Sequence, residues 1–284
     1  MSCIGAVPSP RQHFVFFVHS LCPLCFPLLY DATAEGIDVS ATPLKHLSRE
    51  EMAARLARDI PDGWYVNLGL GLPTLIPNYI PQGREVVFHS ENGILGMGPE
   101  PSKHAIDTWL INATKQNITL VPGASIFHHA DSFAIIRGGH LDLCVLGAYE
   151  VAENGDIANW ATSANDTLPG VGGAMDLAAG SRQLWALMEH TTKDGRARLV
   201  QRCNYPLTAS GVVKRVYTNL AVLEITPRGF EVLDIAQGIT FDALQARTDA
   251  KLHLPAKPAA RGAAPKREER AQPNWNPLSI VPKR

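Results

Sequence analysis

Two runs in the middle of the chain, LDLCVLG (141–147) and LWALM (184–188), are almost wholly apolar and show no alternation. A strand with one wet face alternates apolar and polar residues, whereas a strand covered on both faces has no reason to. At five to seven residues these runs are also short for buried helices. They are therefore expected to be central parallel strands with helices on both sides. ITLV (118–121) and ARLV (197–200) read the same way. Such strands constrain the chain to the α/β class: an open, mostly parallel sheet with flanking helices.

The flanking segments agree. Ser48 and Glu51 have the spacing of a capping box, in which each side chain satisfies a free backbone N–H of the other. Met52, Leu56 and Ile60 follow at four-residue intervals and predict a helix ended by Asp62-Gly63. Trp64–Leu68 and Glu85–Phe88 read as strands, separated by a glycine-rich turn, GLGLPT (69–74), and a short helix opened by Pro73. Asn154-Gly155 predicts one hairpin. Pro227-Arg228-Gly229, between Ala221–Thr226 and Phe230–Ile235, predicts another, so antiparallel additions are expected at an edge. A helix is expected around Phe241–Thr248.

The 284 residues divide unevenly. Residues 1–43 differ in character from the rest of the chain and are expected to lie outside the fold, as if translation began upstream of the working start. Their apolar run, FVFFVHSLCPLCFPLLY (14–30), is broken by Pro23 and Pro27, which argues against a membrane span. Arg11 before the run and Ala32-Thr33-Ala34 after it give a signal peptide a weaker claim. Residues 44–250 form the expected domain. Residues 251–284, rich in Pro, Ala, Lys and Arg, read as a disordered tail, with a basic nucleic-acid arm as the lesser alternative. The net charge of −1 provides no global field for nucleic acid or an anionic membrane. Cys22 and Cys25 form a lone CxxC, and Cys144 sits in an apolar run, so no zinc site or disulfide framework is expected and a reducing cytoplasm fits.

Three motifs bear on chemistry. Gly69 and Gly71 between a strand and a helix match neither a dinucleotide fingerprint nor a P-loop, which argues against a dehydrogenase, and fit a structural turn as well as a ligand loop. Glu91, in His89-Ser90-Glu91-Asn92-Gly93, lies just past a strand end, where open α/β sheets bind ligands. An ionised carboxylate attacks an activated acyl group without a neighbouring base, and Asn92-Gly93 allows a sharp, positive-φ turn to present it. On these residues alone an exposed turn glutamate is the simpler reading. The cluster Gly170–Asp176 offers backbone amides to an oxyanion or is a flexible connection. His128-His129 with Asp131 is read as strand, which points the two rings opposite ways and leaves no metal site. His140 and Asp142 read as structural.

SENGILGMG (90–98) resembles the active-site segment of family I CoA-transferases, whose glutamate is the nucleophile. The likeness continues in order through LSREEMAARLARDI, YVNLGLGLPT, LVPGASIFHHADSFAIIRGGHLDLCVLGAYEV, GDIANW, VGGAMDL and LTASGVVKRVYTNLAVLEIT, roughly residues 44–250. FHHADSFA and GMGP resemble the B subunits of 3-oxoadipate CoA-transferases more than those of succinyl-CoA:acetoacetate transferases; the stretch Pro99–Ile111 follows neither group.

The resemblance implies Glu91 as nucleophile, with Asn92, Gly93, Gly172, Gly173 and Ala174 contacting substrate or CoA and stabilising oxyanions. It implies transfer of CoA from succinyl-CoA to a 3-oxoacid, with CoA as substrate and no metal or other cofactor. It further implies a separate A subunit, without which the chain is inactive. The rival readings are a non-catalytic sensor of related fold, which would usually carry a DNA-binding helix pair, and an interaction protein working through its extensions.

Overall fold

A computed structural model describes residues 46–163 and 170–255. The expectations for residues 1–43, including Cys22 and Cys25, and for the tail past 255 lie outside the described residues. In chain order the elements are α1 (Arg49–Asp59), β1 (Trp64–Leu68), a 3-10 helix (Leu72–Tyr79), β2 (Val86–Ser90), β3 (Ile94–Met97), β4 (Leu120–Ile126) and α2 (His129–Arg137). There follow β5 (Leu143–Leu146), β6 (Glu150–Ala152), β7 (Ile157–Ala158), α3 (Ala174–Gly180), β8 (Gln183–Leu187) and β9 (Leu199–Val200). The chain continues through β10 (Val213–Tyr217), β11 (Ala221–Thr226), β12 (Gly229–Ile235), α4 (Phe241–Gln245) and β13 (Leu252–His253).

Ten strands form one sheet in the order β13-β12-β11-β10-β8-β5-β1-β2-β3-β4, and β7-β6-β9 form a second, small one. From β10 to β2 the central neighbours are all parallel. Antiparallel strands extend the sheet on both sides, β3 and β4 beyond β2, and β11 and β12 beyond β10.

The apolar runs do what their lack of alternation requires. On β5, Cys144 and Leu146 enter one core while Leu143 and Val145 enter the other; on β8, Leu184 and Ala186 part from Trp185 and Leu187 in the same way. Ile136 of α2, Leu177 of α3 and Leu244 of α4 cover the first face, and Met52 and Leu56 of α1 with Ile76 of the 3-10 helix cover the second. The Tyr217 hydroxyl donates to Asp59 at 2.7 Å and ties α1 to the sheet. The Ser48–Glu51 capping box is present in both directions. Buried Asp142 accepts from Arg182 (2.6 Å) and from the Tyr65 backbone N–H (3.0 Å), pinning the start of β5 to β1, a structural role. Burial pushes the Cys144 thiol far up, so it stays protonated and inert.

Three expectations need correction. The ITLV run is not a buried parallel strand: β4 begins at Leu120, lies antiparallel at the sheet edge and is largely exposed. ARLV contributes only the two-residue β9, in the small sheet. His128 and His129 are not on a strand, because His128 caps α2 and His129 opens it. In addition, β13 pairs with β12 beyond residue 250, where the sequence reads as tail.

Candidate active site

The sheet brings the C-terminal ends of β2, β1, β5 and β8 side by side. Leaving β1 the chain runs to β2 on one side, and β5 is added on the other, so the loops after β1 and β5 diverge over a crevice. A cavity of about 500 Å³ lies there, lined among others by Leu70, Glu91, Tyr149, Trp160, Gly173 and Arg198. Gly69 allows this approach of the two loops. Its N–H donates to the Val145 carbonyl at 2.8 Å, and a Cβ in its place would lie 2.9 Å from a Leu146 methyl. The GLGLPT motif thus serves both as a close structural turn and as cavity wall.

Glu91 is set into the cavity by a tight turn. β2 ends at Ser90, β3 begins opposite it at Ile94, and the Gly93 N–H donates to the Ser90 carbonyl at 3.0 Å. Gly93 has φ +109°, and a Cβ there would run into the Phe127 carbonyl oxygen, so only glycine fits. The Asn92 amide donates to the Ile111 carbonyl at 2.8 Å, and the Ser90 hydroxyl accepts from the Ala113 N–H at 3.0 Å. Behind the turn stands a buried chain. Asn67 donates to His89 Nδ1 at 2.9 Å, which leaves the ring proton on Nε2 to donate to Ser132 Oγ at 2.9 Å. Burial pushes His89 down to about 4, so the ring is neutral. One ring nitrogen of His129 lies 2.9 Å from the Glu91 carbonyl oxygen and holds α2 to the same turn.

The Glu91 carboxylate is half-buried and makes no hydrogen bond among the described residues. Burial raises its pKa; the nearby His129 opposes this and Asp176 adds to it. Its Oε2 faces Gly173 so closely that a Cβ on that glycine would come within 2.5 Å. In the glycine cluster the Ala174 N–H already donates to the Val171 carbonyl (3.3 Å), whereas the Gly172 and Gly173 N–H groups have no acceptor among the described residues.

Of the six candidate residues, Glu91, Gly172, Gly173 and Ala174 meet in the cavity, while Asn92 and Gly93 lie off its lining and shape the turn. Sequence reading missed the support from Asn67, His89 and Ser132. The one local signal was a histidine in the otherwise apolar VVFHS (86–90), and its partners are 22 and 43 residues away. It also missed Glu189 and Arg198, which line the far end below β8. Among the described residues no group of three or more His, Cys, Asp or Glu side chains could hold a metal ion, and no helix is long and apolar enough to cross a membrane.

Known proteins of similar sequence and fold place the chain in a family. The B subunit of a 3-oxoadipate CoA-transferase from Pseudomonas putida is 56% identical over 204 residues, covering 72% of this chain and 95% of the relative. The B subunit of a succinyl-CoA:3-ketoacid coenzyme A transferase from Helicobacter pylori is 45% identical over 206 residues, 72% of this chain and 99% of the relative. In fold, an acyl-CoA transferase apoenzyme from Escherichia coli O157:H7 superposes with a TM-score of 0.58 at 19% identity, over 75% of this chain and 42% of that longer one. The coenzyme A transferase family model matches residues 49–246, and the chain belongs to that family.

Proposed function

We propose that this chain is the glutamate-bearing subunit of a two-subunit, cytoplasmic enzyme that moves CoA from succinyl-CoA to a 3-oxoacid, with 3-oxoadipate the favoured acceptor. The observation that carries the reading is the unpaired Glu91 carboxylate, half-buried at a parallel strand end and facing the glycine backbone at Gly173. The carboxylate adds to the thioester carbonyl, and the C–S bond breaks to give an acyl-glutamyl anhydride and CoA thiolate. The thiolate then attacks the glutamyl carbonyl, forming a Glu91–CoA thioester and releasing succinate. An entering 3-oxoacid reverses the two steps. Each passes through an oxyanion, for which the Gly172 and Gly173 N–H groups, without an acceptor among the described residues, are candidate donors; such donors contribute about 2.7–4 kcal/mol each in the transition state. Partial burial strengthens these contacts and makes the carboxylate more basic. No redox or metal cofactor enters these steps.

The Pseudomonas and Helicobacter relatives are named as B subunits, which supports an A subunit as partner. The higher identity to the former favours 3-oxoadipate over acetoacetate as acceptor. Residues 44–250 would carry this function and residues 1–43 would be dispensable. The test is intact-mass spectrometry on this chain mixed with its A subunit and succinyl-CoA, then treated with borohydride. The expected product maps to Glu91 and is missing from Glu91→Gln. A well-formed complex that gives no adduct would overturn the reading in favour of a ligand-binding module.

A further inference from the structure

The far end of the cavity carries a charge that the transfer steps do not use. Glu91, Glu189 and Arg198 all line the cavity, and Arg198 is the one cation among its described lining residues. Its backbone is pinned on both sides: the N–H donates to the His190 carbonyl at 3.2 Å and the carbonyl accepts from Val151 at 3.0 Å. A tight 191–197 hairpin, closed by Thr192 N–H to Arg196 O at 2.9 Å, delivers it to that position. Yet its Nε is buried without a hydrogen-bond partner, and its guanidinium forms no ion pair among the described residues, not even with Glu189. A guanidinium with an unfilled, buried Nε–H at the wall of a cavity is suited to a planar oxyanion that arrives with a ligand.

We infer that Arg198 binds the distal carboxylate of a dicarboxylic acyl group, the free end of a succinyl or 3-oxoadipyl chain whose other end reacts at Glu91. This rests on the reading of Glu91 as acyl acceptor. The placement fits: both residues line one cavity of about 500 Å³, Glu91 just past the end of β2 and Arg198 just past the hairpin that follows β8. The charges fit as well. Two carboxylates already line the cavity, and a second carboxylate on the substrate would be repelled there without a cation to receive it. A monocarboxylic acyl group leaves Arg198 unfilled and gains nothing from it.

The test compares formation of the Glu91–CoA thioester from succinyl-CoA and from acetyl-CoA, by rapid-quench mass spectrometry on the complex with the A subunit. In Arg198→Gln the ratio of the two second-order rate constants, succinyl over acetyl, is expected to fall about 10- to 100-fold. In Arg198→Lys, which keeps the charge but not the fork, the ratio falls less. Equal losses with both donors would overturn the inference, because Arg198 would then serve the fold or the common reaction. A loss with succinyl-CoA that disappears with succinyl-pantetheine, which lacks the nucleotide phosphates, would overturn it too and assign Arg198 to CoA. Absence of any thioester in the unsubstituted complex would instead fail the reading of Glu91 itself, a separate outcome.

Discussion

The two ends of the cavity are built on the same device and differ in how far its parts are scattered along the chain. At the Glu91 end, buried neutral His89 bridges Asn67 of β1 and Ser132 of α2. At the Arg198 end, buried His190 bridges Thr218 (3.0 Å) and Thr248 (2.9 Å), while its backbone N–H donates to Asn219 at 2.8 Å and its carbonyl receives Arg198. Burial holds both histidines down to about 4. One network gathers residues next to a recognisable turn. The other reaches through the β10–β11 connection to the residues after α4 before it can position one arginine. The turn at the Glu91 end is thus specified by a contiguous motif, and the Arg198 end by assembly of the C-terminal half.

The comparison breaks first on the reacting group. Glu91→Gln should lower transfer about a thousand-fold or more with every acid, whereas Arg198→Gln should change which acid is preferred; steady-state rates on mono- and dicarboxylic acceptors decide this. The turn glycines sharpen it next. Gly93 and Gly195 both have positive φ, but a Cβ on Gly93 meets the Phe127 carbonyl while one on Gly195 meets nothing. Gly195→Ala should therefore cost about 1 kcal/mol. Gly93→Ala should cost several times that in denaturant melts and should displace Glu91, losing activity as well.

Both histidines should also make the fold acid-sensitive. An unfolded chain takes up a proton at each ring below about 6.5, while the folded one resists until about 4. Stability is thus full above the upper value and is lost as pH falls through this window, by roughly 3 kcal/mol per histidine. His190→Gln should flatten the decline of melting temperature between pH 6.5 and 4 by about half, and an unchanged slope would deny His190 its part. The smallest effects come from the hydroxyls. Ser132→Ala and Thr248→Val should each cost about 1–3 kcal/mol. The first should depress thioester formation from both donors through the Glu91 turn, and the second should move the succinyl-to-acetyl ratio through Arg198. An identical kinetic signature for the pair would erase the distinction between the two ends.

The features legible in the chain rest on local physics. The capping box, the hairpin turns at Asn154-Gly155 and Pro227–Gly229, and the unalternating runs of β5 and β8 each depend on neighbours within a few residues, and each appears in the fold. The turn that carries Glu91 was legible because its strand end and its glycine are contiguous, although on those residues alone an exposed glutamate was the simpler reading. The misreadings share the opposite cause. ITLV looks like any buried run until the sheet places β4 at an edge, and His128-His129 looks like strand until His129–Arg137 winds as a helix.

The sequence by itself determined the α/β class, the capped first helix and the hairpin turns, because period, capping and turn chemistry act over a few residues. Only the tertiary structure decided that the Glu91 carboxylate faces Gly173, that His89 and His190 are neutral, and that Arg198 lines the same cavity as Glu91 with no ion-pair partner among the described residues. Burial and the company of a charge are properties of the assembled sheet. They arise from residues far apart in the chain, 158 positions for the Tyr217–Asp59 bond, and no short window of the chain contains both ends of the interaction.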